Sequence, residues 1–73
     1  MNTTWKSALA NAVAEKLNSL RKDGIVSMSA DNLFQVLRFP SGGPVGTNAR
    51  WAARQVFNEV VAELPAKLKR KIC

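Results

Sequence analysis

The chain offers few of the side chains on which catalysis near neutral pH depends. It has no histidine and no tyrosine, and its one cysteine, Cys73, is the last residue. That removes the usual general bases and the partners that activate a nucleophile. Five carboxylates remain, scattered except for Glu59 and Glu63, which share a helix face at i, i+4. Such a pair can be read as an acid/base couple or as half a metal site, but a solvated face beside Lys67 is the better reading. Without histidine or paired cysteines no zinc site can be assembled. The expectation is a protein that is not an enzyme, needs no cofactor or metal, and takes no small-molecule substrate.

What the chain does offer is positive charge. Eleven Lys and Arg stand against five Asp and Glu, a formal net charge of +6, which points towards nucleic acid, an acidic protein surface or anionic lipid. The distribution is uneven. Residues 1–64 hold seven cations and all five acids, whereas Lys67, Lys69, Arg70 and Lys71 crowd into the acid-free stretch PAKLKRKIC.

A second cationic group is Arg50, Arg54 and Asn58, an i, i+4 ladder along one helix face with Gln55 beside it. Arg50 and Arg54 fall in the first two turns of that helix, where the macrodipole is already partly positive and Asp or Glu would be favoured. For a free helix the sign is wrong, and an anionic partner would relieve the conflict; the plain alternative is chance placement on a solvated face. The glycine loop SGGPVGTN just ahead of this helix invites a phosphate-binding interpretation. It lacks both the Walker lysine and the dinucleotide fingerprint, so as a nucleotide motif it is very weak. Trp5 and Trp51 each start a helix. Trp51 is expected to close the end of the core, and Trp5, near a loose terminus with Lys6 beside it, has a composition common at interfaces. The expected partner-binding residues are therefore Trp5, Lys6, Arg50, Arg54, Asn58, Lys67, Lys69, Arg70 and Lys71.

Helices must position these groups. From Thr3 to Lys22, Trp5, Leu9, Val13, Leu17 and Leu20 recur at helical spacing, with Thr3 or Thr4 as a cap and Gly24 as the left-handed residue that closes the helix. Ile25 to Met28 is too short to decide between a connector and a strand, and a connector is favoured. Ser29 has the place of an N-cap, with Met28 and Leu33 spaced as a hydrophobic staple, for a short helix from Ala30 to Arg38 or Phe39 that stops before Pro40. Residues 40–46, with three glycines and two prolines, form a turn-rich loop.

The longest helical signal follows, Thr47 to Leu64, with Thr47 as cap and Ala53, Val56, Phe57, Val60, Val61 and Leu64 in one apolar stripe. Pro65 either ends that helix or opens a new one. Beyond it, Leu68 and Ile72 suffice for a frayed, partner-dependent helix. The fold expected is all-α: a small three-helix domain over residues 1–64, with Leu9, Leu17, Phe34, Leu37, Phe57 and Val60 in one core, and a basic C-terminal tail over 65–73 that acts as a separable tether.

A chain of 73 residues buries only roughly 60–65% of its unfolded surface, so a partner can add appreciably to its stability. No window approaches the about 18 apolar residues of a membrane span, and no secretory signal is visible. With its lone cysteine expected as an unpaired exposed thiol, the chain is placed in the cytoplasm.

Three binding modes fit these features. A helix-turn-helix would lay Arg50, Arg54, Gln55 and Asn58 in the major groove, although seven residues between the helices exceed the about three or four usual there. A protein-binding regulator would use the tail and the first helix on an acidic partner. A membrane-surface peptide would rest on four cations with only Leu68 and Ile72 as anchor, which is too little. In its size, its cysteine-poor basic composition and its run from MNTTWKSALANAVAEKL to AKLKRKIC, the chain resembles the small lytic-phage transcription regulators that bind host RNA polymerase, a group met among phages of Xanthomonas. The resemblance implies a non-enzymatic protein in the host cytoplasm that docks on the polymerase, blocks initiation at host promoters and allows terminator readthrough; whether DNA is also contacted in the complex is left open by the sequence. It carries no residue roles, and direct DNA binding stands as the alternative.

Overall fold

The computed structural model describes residues 3–72, the side chain of Thr3 excepted. The thiol of Cys73 and a capping role for Thr3 lie outside what is described. The fold is all-α, with helices α1 (Thr3–Ser19), α2 (Ala30–Val36), α3 (Ala49–Glu63) and α4 (Ala66–Lys69), and a 3-10 turn, Leu20–Asp23, that extends α1. Among the described residues the single β-type pairing is an isolated parallel bridge between Met28 and Ile72.

The apolar stripe of α1 forms the floor of the core. Leu9, Val13 and Leu17 are wholly buried and Leu20 nearly so, and α1 packs against both α3 and α4. Leu33, Phe34 and Leu37 come in from α2 and its end, Val56, Phe57, Val60 and Leu64 from α3 and its end, and Leu68 from α4. All six expected core residues are among them. Phe34 meets Phe57 and Phe39 edge to face, with centroids 5.2 and 5.1 Å away, a geometry that sets the positive ring edge against a negative face.

The start and stop signals act as their chemistry requires, with shifts of a few residues. Gly24 takes φ +74° and its N–H bonds back to the 3-10 turn, and the Ser29 hydroxyl accepts from the Asn32 N–H at 3.2 Å. Helix α2 ends at Val36, short of Arg38, because Leu37 is already extended; that early exit returns the Phe39 ring to Phe34. Thr47 is not the cap of α3. The turn on Gly46 (φ +99°) places Asn48 at that position, without a side-chain cap bond. Thr4 lies inside α1 rather than capping it. Leu64, forced out of helical geometry by the proline after it, ends α3. The carbonyl of Pro65 then receives the N–H groups of both Leu68 and Lys69 at 3.0 Å.

The tail is not a separable extension. Leu68 is in the core, Ile72 packs against it, and the Met28 N–H donates to the Lys71 carbonyl at 2.9 Å. The domain therefore runs past residue 64, because Leu68 and Ile72 add to a core that the length of the chain keeps small. Trp5 is the other correction. It is buried, and its indole N–H donates to the Pro40 carbonyl at 3.0 Å. Its place in the i, i+4 stripe with Leu9 and Val13 outweighs its nearness to the terminus. Trp51 is 68% exposed, since two residues from the inward Ala53 turn it about 200° round the helix.

Deleting residues 66–73 is expected to destabilise the domain by about 2–5 kcal/mol, the cost of losing a buried leucine; urea unfolding with an unchanged midpoint would show that the tail lies outside the cooperative unit. Gly43 leaves room for the Trp5 ring, because a Cβ there would stand 2.6 Å from the indole nitrogen and closer still to its carbons. Gly43→Ala should thus cost about 1–3 kcal/mol by overpacking, measured against Ser41→Ala, an exposed position of the same loop, as a control for loop substitution.

Candidate functional site

Charge is the chemistry this chain has, and the fold sorts its charges into two kinds. The first kind is matched within the domain. The ammonium of Lys6, on the first turn of α1, lies 2.9 Å from Glu63 Oε2 and 3.8 Å from Glu59 Oε1 on α3. The partner of that carboxylate pair is therefore Lys6 rather than Lys67. The hydrogen bond to Glu63 holds the Lys6 pKa above its ordinary 10.5; partial desolvation opposes this, and the attraction of both carboxylates adds to it.

Arg54 is matched as well. Its guanidinium reaches Asp31 Oδ1 at 2.7 Å, its Nε donates to Asn58 Oδ1 at 3.1 Å, and it lies over the rings of Phe34 and Phe57. Arg50 lies over Phe34, 5.0 Å from its centroid. The unfavourable placement of these arginines in the first turns of α3 is thus compensated inside the chain, by a carboxylate at the start of α2 and by aromatic faces. Asn58 holds Arg54, and that is its visible task.

The second kind is without an ion pair among the described residues, and four of its cations meet in one place. The 3-10 turn, the Gly24–Val26 connector and the docked tail enclose an open groove of about 490 Å³, lined by Arg21, Ile25, Val26, Lys67, Arg70 and Lys71 around Gly24. No carboxylate lines it, and none of its four cations is in an ion pair among the described residues. Lys69 and Lys22 are exposed on the same segments without lining the groove.

Sequence reasoning placed Lys67, Lys69, Arg70 and Lys71 in a partner-binding role, and the fold brings three of them together. It missed Arg21, Ile25 and Val26, whose involvement depends on the tail folding back beside the end of α1. The only sequence signal of that return was the apolar pair Leu68 and Ile72. It missed Trp51 too, which joins Val45, 91% exposed, as a large apolar side chain left in solvent near the start of α3.

Among the described residues no cluster of His, Cys, Asp or Glu could hold a metal ion, and no helix is long and apolar enough to cross a membrane. Compared with protein-family models, with curated proteins and with solved structures, the chain matches none.

The raised Lys6 pKa fixes the sign of a pH effect. A lysine stabilised in its charged form by the fold contributes stability that is complete below its unfolded pKa and is lost as the pH rises through the higher folded value. The melting temperature of Lys6→Met should therefore lie below that of the parent by a constant margin through neutral pH, and the margin should close only above the ordinary lysine value of 10.5. A margin that stays open well above that value would mean that Lys6 acts by packing rather than by charge.

Proposed function

We propose that this protein is a non-enzymatic transcription regulator that docks on host bacterial RNA polymerase in the cytoplasm, inhibits initiation and allows terminator readthrough. The resemblance supplies the partner, and one structural observation supports the mode of contact. Three of the five carboxylates are taken up by Lys6 and Arg54, while Arg21, Lys67, Arg70 and Lys71 line one groove that has no carboxylate in its lining. A surface segregated in this way favours an acidic partner and speeds encounter with it.

Direct DNA reading by α3 has less support. Arg54 and Asn58 are tied to each other and to Asp31, and residues 37–48 separate α2 from α3, far more than the about three or four of a helix-turn-helix.

The test uses the full-length protein and purified polymerase holoenzyme of the bacterial host. The protein should bind the enzyme with an association rate that falls as salt is raised, reduce initiation, and raise readthrough in a purified transcription reaction. At physiological salt it should leave a free DNA duplex unshifted. A rate indifferent to salt removes electrostatic docking from the account, and a duplex shifted by the protein alone favours the DNA reading.

A further inference from the structure

We propose that the groove between the end of α1 and the docked tail seats an acidic segment of a protein partner, one that carries aliphatic side chains among its carboxylates. The inference rests on the reading above in one respect, that the partner is a protein, and it names the chemistry recognised. Four cations with no acid among the lining residues select an anion. The remaining lining selects among anions. Ile25 and Val26 stand at the groove exposed, Val26 at 89%, beside the charges that would draw a carboxylate in.

A phosphodiester backbone gains little from aliphatic walls. Nucleic-acid surfaces pair their cations with aromatic rings for stacking or with amide side chains for base edges, and the groove is lined by neither. A peptide mixing carboxylates with leucine or valine satisfies both halves of the lining. It gives the guanidinium groups of Arg21 and Arg70 a bidentate acceptor and covers the two exposed aliphatics.

The groove is also held open before any partner arrives. The Ile25 N–H donates to the Leu20 carbonyl and the Met28 N–H to that of Lys71, both at 2.9 Å, while Leu68 anchors the helix that bears Lys67. These cations do not have to be ordered from a free tail on binding, which lowers the entropic cost of the contact.

Calorimetric titration of the full-length protein tests this with a synthetic peptide alternating glutamate and leucine. Its counterpart of glutamate and serine and a DNA oligonucleotide of equal charge serve as comparators. The leucine peptide should bind about tenfold tighter than either. Arg70→Glu should weaken it about tenfold and Val26→Ser about fivefold. Lys22→Glu and Arg38→Glu make the same charge change on exposed residues outside the groove and should weaken it by less than about twofold.

All four positions are exposed, and an unchanged melting temperature verifies each fold. Equal affinity for the two peptides, tighter binding of the oligonucleotide, or equal effects of Arg38→Glu and Arg70→Glu would each overturn the proposal. Polymerase that binds Arg70→Glu and Val26→Ser as tightly as the parent sinks the groove and leaves the polymerase reading standing. Peptide binding as expected without polymerase binding does the reverse.

Discussion

Burial of the α1 stripe is the contact on which the rest of this structure depends. A chain of this length has too little interior for two layers of core, so one row of side chains must serve more than one element. Leu9, Val13, Leu17 and Leu20 do so, with α3 and α4 both packed against their helix. The consequence reaches the far end of the sequence. Because α1 still has apolar surface to cover beyond α3, Leu68 and Ile72 are drawn onto it, and the cations between and beside them are carried along. The position of the basic groove is thus a by-product of hydrophobic economy, set by where the last two aliphatic residues can be buried.

Electrostatics then works within a frame that packing has chosen. Lys6 faces Glu59 and Glu63, and Arg54 faces Asp31, across helix pairs that the core has already brought together. These contacts are exposed and individually weak; their larger effect is to set the sign of each surface. Asp31, Glu59 and Glu63 are balanced by those contacts, and the groove, with no carboxylate in its lining, keeps its positive field. Phe34 shows the same division on a smaller scale, with its ring edges and faces engaged by Phe39 and Phe57 while two guanidinium groups lie over it.

Much of this was legible in the sequence wherever a short-range rule governs the outcome. The caps at Ser29 and Gly24, the break at Pro65 and the periodic stripes of α1 and α3 all follow from backbone geometry and helical period. Even the tryptophans were legible by that rule. Trp5 keeps the i, i+4 register of Leu9 and Val13, and Trp51 is out of register with Ala53 and Val56, so periodicity alone gives the burial that the argument from terminal position reversed. What a short-range rule does not contain is which distant groups meet. Nothing in the spacing of Arg21 or Asp31 names Arg70 or Arg54 as a neighbour; the Lys6–Glu63 pair spans 57 positions. The binding groove belongs to this second class, being made of residues 21–26 and 67–71 and existing only once the tail has docked.

That construction links binding to folding. The same segment supplies a core leucine and three groove cations, so the repulsion among Arg21, Lys67, Arg70 and Lys71 acts directly against the docking of Leu68. In the free protein the hydrophobic contact prevails, aided by the Met28–Lys71 hydrogen bond, but it does so against a load that an anionic partner removes. A ligand that neutralises the groove therefore stabilises the tail, and with it the cover over α1, in proportion to its preference for the docked form. Because the partner surface lies on an element already docked in the free protein, binding reinforces a fold that is complete without it, and the gain in stability reads out the contact.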